Sequence, residues 1–198
     1  MKHKTLYHLV LIACFAIGVN CTLNAQISFS VERSSDNRIT LSGTSTFHDW
    51  TMKTKTFSGQ AQFNLLPGND ITSITELDLS IPVINLKSNK KALNKNAWKA
   101  LKASEFKTIS YKLISAKIIG QENYRTKITT VGNLSIAGVT KQVNIDIYCM
   151  ANKGGSITCT AKYRIKMSDY NVDPPYFMQG LMSTSEMVDL DISMRFER

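Results

Sequence analysis

Ser45, His48 and Asp49 bring a hydroxyl, an imidazole and a carboxylate close together in the chain, the three groups of a hydrolase triad. The spacing argues against that use. Adjacent strand residues point to opposite faces, so Asp49 cannot orient the His48 ring while both lie on one strand. The chain has no G-x-S-x-G turn to lift a serine clear of a sheet. His48-Asp49-Trp50 reads instead as the end of a strand, with Trp50 packed and the polar pair bonded to loop backbone. No catalytic residue is assigned, and the chain is expected not to be an enzyme.

Cys149 and Cys159 form the second chemical pair. Their spacing is not that of a C-x-x-C motif, and only a lone histidine, His48, could join them, so neither a metal site nor a cofactor is expected. Both lie symmetrically about Gly154, the middle of a turn at 152–156. If residues 148–151 and 157–160 pair as a hairpin, the two cysteines face each other across the ladder. Opposed Cβ atoms lie about 4.5–5.5 Å apart, and a disulfide prefers about 3.5–4.5 Å. A bond therefore fits only at the closer, non-hydrogen-bonded kind of pair.

The elements that must position these residues are mostly strands. Val188, Leu190, Ile192, Met194 and Phe196 alternate with polar residues, and so do Val143, Ile145 and Ile147. Tyr163, Ile165 and Met167 repeat the pattern, as do Leu77, Leu79, Ile81 and Val83, and again Ile27, Phe29 and Val31. Further strands are expected at 38–47, 56–65, 108–119 and 124–136, with a bulge where the apolar phase slips between Leu113 and Ile114. About eight or nine strands with one apolar face predict a closed barrel or a sandwich. Residues 89–106 break the pattern. They are rich in Ala, Lys and Leu, with Leu93, Ala97, Ala100 and Leu101 on one helical face and Lys91, Lys95, Lys99 and Lys102 on another. One short helix flanking an opening is the expectation.

The N-terminus carries a different signal. Residues 1–8 hold Lys2 and Lys4 and no acid, residues 9–19 are an apolar run of 11, and residues 20–25 turn polar and small. That is the order of a secretory signal, and the run falls short of the roughly 20 residues a bilayer span needs. Cleavage is expected after Ala25, leaving one domain at 26–198 that is periplasmic or secreted. Leu11-Ile12-Ala13-Cys14 looks like a lipobox but lies inside the apolar run, and Cys21 follows Asn20, so lipidation is the disfavoured alternative. Losing two lysines lowers the net charge from +9 to +7 and leaves His48 as the one remaining histidine. Such a chain suits anionic head groups or acidic surfaces. It shows no DNA- or RNA-binding motif, and nucleic acid is not an expected partner.

Four segments, in order, carry a family resemblance. Gly43-Thr44-Ser45-Thr46-Phe47-His48-Asp49-Trp50-Thr51 resembles the early glycine–serine–histidine segment of YceI-like proteins, in the variant with His-Asp-Trp. Residues 101–111 (LKASEFKTISY) resemble a second segment, with Lys107 where that family usually has proline. Residues 131–141 (VGNLSIAGVTK) closely resemble its G-x-L-T-I-x-G-V-T signature, Ser135 replacing the threonine, and residues 167–180 (MSDYNVDPPYFMQG) resemble its ending.

The resemblance implies an antiparallel, lipocalin-like β-barrel with an elongated apolar interior and an exported protein that binds a long apolar molecule, polyisoprenoid or fatty-acyl in type. On that reading the ligand-binding residues are Phe29, Phe47, Phe63, Leu79, Ile81, Tyr111, Ile145, Tyr163 and Met194 on inward faces. Trp98 and Leu101 would add to them from the helix, and Phe177 from the crossing before the last strand. Each of these reads first as plain core and only second as ligand contact, because a filled barrel and a hollow one both need apolar inward faces. A non-enzymatic envelope interaction module with a filled barrel is the alternative. Transient contact with an anionic membrane surface is a further expectation, with Trp98 at a lipid–water boundary or simply packed. The oligomeric state is left open, a dimer included.

Overall fold

Alternation becomes sheet wherever the sequence shows it. The computed structural model describes residues 27–32, 34–46, 48–174, 176–177 and 182–198, without the side chains of 176, 177, 182 and 183. The leader with Cys14 and Cys21, Phe47, Met178 and the side chain of Phe177 lie outside the described residues. Twelve strands are present among the described residues. They are β1 (Ile27–Val31), β2 (Arg38–Gly43), β3 (Trp50–Thr54), β4 (Ser58–Leu65), β5 (Ile71–Pro82), β6 (Thr108–Glu122), β7 (Arg125–Ile136), β8 (Val139–Ala151), β9 (Ile157–Lys166), β10 (Tyr176–Phe177), β11 (Met182–Ser183) and β12 (Met187–Glu197). One helix, α1 (Lys91–Ala100), follows β5.

Eight antiparallel strands close on themselves in the order β1-β4-β5-β6-β7-β8-β9-β12, and the circle shuts where Val31 of β1 faces Phe196 of β12. The β2-β3 hairpin adds to the other half of the β12 edge, so β1 and β2 share one side of that strand. Lys53 of β3 then exchanges both backbone hydrogen bonds with Lys87 beyond β5, at 2.7 and 3.0 Å. Trp50–Thr54 is a correction to the sequence reading, which took His48-Asp49-Trp50 as the end of one long strand. A turn at Ser45, whose N–H and hydroxyl both donate to the His48 carbonyl, reverses the chain and starts a new strand instead.

Turn chemistry fixes the hairpins. Ala137 and Gly138 both have positive φ, 48° and 84°, as a two-residue turn between β7 and β8 requires. Gly138 is doubly constrained, since a Cβ there would lie 2.3 Å from Cζ of Phe106. The slip expected in β6 is real, with register shifts between Leu113 and Ser115 and again between Ile118 and Gly120. Each bulge turns an isoleucine outward: Ile114 and Ile119 are both 54% exposed, while Ala116 and Ile118 between them pack on the core.

The helix ends by a specific device. Ala103 N–H donates to the Trp98 carbonyl and Lys102 N–H to that of Lys99, and Lys102 holds φ at 49°. This is a Schellman motif with lysine in the usual glycine place. Trp98 is half-buried and donates its indole Nε1–H to the Leu86 carbonyl at 3.0 Å, pinning α1 to the chain that leaves β5. The expected lysine face is present, with Lys91, Lys95, Lys99 and Lys102 all exposed.

Candidate functional site

The barrel interior is divided along its axis. At the end that carries the β4-β5, β6-β7 and β8-β9 turns it is solid. Phe29, Phe63 and Phe196 meet edge to face there, at 5.4 and 5.8 Å between ring centroids, and each is at most 1% exposed. Cys149 and Cys159 are opposed in register with Cα atoms 4.1 Å apart, and their sulfurs are bonded. Ile128 and Ile157 complete this buried layer.

Toward the other end the inward residues do not meet. Leu41, Leu79, Ile81, Tyr163, Ile165, Leu190 and Ile192 all point inward on their strands yet keep partial exposure. They surround a cavity with about 170 Å³ of room for atom centres. Such a pattern is what a bore leaves behind, because a packed interior would have buried them. From α1, Leu93, Ala97, Ala100 and Leu101 face the cavity at its mouth, joined by Met167, Tyr170 and Val172.

Few polar groups reach this surface. Tyr111 donates its hydroxyl to Thr130 at 2.9 Å, and Thr130 passes its own proton to the Ile145 carbonyl at 2.9 Å, so both hydroxyls are satisfied inside the wall. Burial raises the Tyr111 pKa, the Thr130 bond opposing it. Burial also raises that of Tyr163, with the Asp169 carboxylate adding to the effect. Tyr170 is pushed up to about 12 by burial, with Tyr163 and Asp169 contributing. All three phenols face the bore uncharged at neutral pH.

Of the residues expected to bind ligand, seven line the cavity: Leu79, Ile81, Leu101, Tyr111, Ile145, Tyr163 and Met194. Phe29 and Phe63 do not; they belong to the solid end, because large rings close the space there. Trp98 anchors the helix through Leu86 and is not part of the cavity wall. Phe47 and the side chain of Phe177 lie outside the described residues. Lining residues not singled out from sequence include Leu41, Met52, Leu134, Tyr170 and Trp50. Periodicity marks Leu41 and Leu134 as inward, whereas Trp50 and Met52 lie on the unforeseen β3.

Ser45, His48 and Asp49 do not assemble a triad. The Ser45 hydroxyl donates to the His48 backbone carbonyl at 2.6 Å, and the His48 ring lies 3.3 Å from the Lys90 amine. No cluster of three histidine, cysteine or carboxylate residues suited to a metal occurs among the described residues. No helix among them is long and apolar enough to cross a membrane.

A closed antiparallel barrel, solid at one end and hollow at the other with a helix beside its mouth, is a lipocalin-like barrel. The chain belongs to the YceI-like family, whose domain model matches residues 24–196. No curated protein matches the chain. Among solved structures, BcnA of Burkholderia cenocepacia is similar with a TM-score of 0.67 at 16% identity, over 83% of this chain and 98% of that one. A polyisoprenoid-binding domain from Saccharophagus degradans, implicated in plant cell wall breakdown, is similar with a TM-score of 0.63 at 13% identity, over 85% and 97%. The Campylobacter jejuni YceI protein gives 0.52 at 21% identity, over 71% and 81%.

Proposed function

We propose that the protein is an exported, non-enzymatic carrier that sequesters the tail of a long apolar molecule, polyisoprenoid or fatty-acyl in type, in the hollow half of the barrel. The observation that carries this reading is the carbon-lined cavity whose inward Leu, Ile and Tyr side chains remain partly exposed. Each methylene moved from water into such a bore contributes about 0.8 kcal/mol. A chain of ordinary lipid length therefore binds without polar contacts along its shaft.

The ligand class draws support from the Saccharophagus relative, which is described as polyisoprenoid-binding. Export rests on the basic, apolar and small-residue order of residues 1–25, and the compartment we infer is the periplasm or the exterior. A filled-barrel interaction module is disfavoured by the hollow mouth half.

Organic extraction and native mass spectrometry of protein purified from an export-competent host test the reading. A co-purifying long-chain lipid on a chain beginning at Gln26 is the expected result. Protein that is persistently empty and takes up no long-chain probe overturns it.

A further inference from the structure

We propose that the hydroxyls of Tyr163 and Tyr170 hold the polar end of the ligand, donating hydrogen bonds to a neutral, carbonyl-type oxygen on a long-chain amphiphile. The inference rests on the carrier reading and narrows its cargo. The preferred molecule is a long-chain ester, amide or ketone, not a bare hydrocarbon and not an anion.

Both residues line the cavity, and neither hydroxyl has a hydrogen-bond partner among the described residues. Neither oxygen is sealed in protein. The sealed, unpartnered side-chain atoms among those residues are Trp50 Nε1, Asn64 Oδ1 and Asp78 Oδ1. A tyrosine hydroxyl in apolar surroundings usually finds a partner, so two that lack one mark a place where something else accepts. Tyr111, by contrast, gives its proton to Thr130, and Thr130 its own to the Ile145 carbonyl. The described cavity wall holds no lysine, arginine, histidine or carboxylate. A carboxylate or phosphate head there would lie buried without a countercharge, which costs far more than burying a neutral oxygen that phenols can bond.

The fold brings the two phenols to one place. Strands β8 and β9 pair only from Ile147↔Ala161 to Ala151↔Ile157. Mouthward of Ala161 that ladder ends, and a 3-10 turn, Met167–Tyr170, follows β9 directly. Asp169 ties the turn back to β8 through Lys141 at 3.5 Å. Asn171, with φ at 51°, closes it by donating its N–H to the Ser168 carbonyl at 3.2 Å. Tyr170 thereby joins Tyr163 on the bore. Tyr163 and the Asp169 carboxylate both act on the Tyr170 ionisation, so the three groups stand together. Asp169 is not part of the cavity wall, and its charge would repel an anion held by the phenols.

The test uses lipid-free protein and methyl palmitate labelled with ¹³C at its carbonyl, with n-heptadecane as a hydrocarbon of similar length. Infrared spectra read the hydrogen bond directly: the labelled carbonyl stretch of the bound ester should lie below its position in a hydrocarbon solvent. Tyr163→Phe and Tyr170→Phe each delete one oxygen and keep the ring, and each should return the band part of the way. The preference for ester over alkane, taken as a ratio within each protein, should fall about 5-fold per hydroxyl lost, the range of one neutral hydrogen bond. Both quantities are read on each single variant, so one that does not fold leaves the other to decide. Palmitate, ionised at neutral pH, should bind more weakly than its methyl ester. A bound ester whose band already sits at the hydrocarbon position, or whose band and preference survive both substitutions, overturns the inference and leaves the carrier reading standing. Palmitate that outcompetes the ester overturns it too. If neither methyl palmitate nor n-heptadecane binds the wild-type protein, both readings fail together.

Discussion

The ring of Tyr111 lies where a side chain on residue 132 would begin: a Cβ on Gly132 would fall 2.4 Å from Tyr111 Cζ and 2.5 Å from its oxygen. Gly132 is the first glycine of the 131–141 segment, and here its job is to leave room for a buried phenol bonded to Thr130. Gly132→Ala should cost about 1–3 kcal/mol by forcing that ring aside. Adding Tyr111→Leu, a smaller and more flexible side chain, should recover part of the loss. Denaturant midpoints of the four proteins measure the coupling, and strictly additive losses would contradict the contact.

The Cys149–Cys159 bond closes a loop of ten residues at the solid end of the barrel. The chain-entropy relation gives about 2–3 kcal/mol for a loop that short. The Cys149→Ala/Cys159→Ala protein should lose about that much stability and still bind ligand, since neither cysteine touches the cavity. Thiol titration under denaturing, non-reducing conditions should find no free thiol in exported protein. Two free thiols would show that the bond does not form.

Alkaline pH should loosen the barrel. Tyr170 ionises at about 12 in the fold against 10.0 in the unfolded chain, so the folded state holds its proton more tightly. The stability from this group is complete below pH 10.0 and falls as pH rises toward about 12. Tyr111 and Tyr163, raised in the same direction, add to the slope. Tyr170→Phe should flatten the alkaline limb of a stability–pH curve, with tyrosinate absorbance following the titration. An unchanged limb would place the cause elsewhere.

The helix α1 lines the cavity with Leu93, Ala97 and Ala100 and leaves its lysines exposed; on the carrier reading those lysines would meet an anionic bilayer during delivery. Attraction runs at about 1 kcal/mol per lysine close to such a surface. Replacing Lys91, Lys95, Lys99 and Lys102 with Gln should slow lipid transfer from anionic vesicles and abolish its salt dependence, while ligand already bound stays bound. Equal transfer by both proteins would reduce these lysines to a solubilising face.

Much of this fold could be read in the residues, and the limits have a physical form. Alternation places Leu79, Ile81, Tyr163 and Met194 on inward faces, and all four line the cavity. The same alternation put Phe29 and Phe63 inward too, and both are inward, but in the solid end and not on the cavity wall. A period of two says which face a residue takes, not how far along the barrel axis it lies. Depth depends on register between strands distant in sequence, such as Ile27 against Phe63, and no local pattern encodes that. The hairpin around Gly154 was legible because both partners flank one turn, so the Cys149–Cys159 pairing followed from symmetry alone. Trp50 was passed over for a similar reason, since β3 is short and mostly polar and only its pairing with β2 makes it a strand.

The plug of Phe29, Phe63 and Phe196 makes the barrel a blind alley, not a tunnel. On the carrier reading proposed above, a tail would go in first and come out last, by the door through which it entered. Loading and unloading then use one face of the molecule, and traffic between two surfaces requires the whole protein to let go and turn around. The depth of the alley becomes a ruler: whatever length exceeds it stays outside, within reach of the next acceptor.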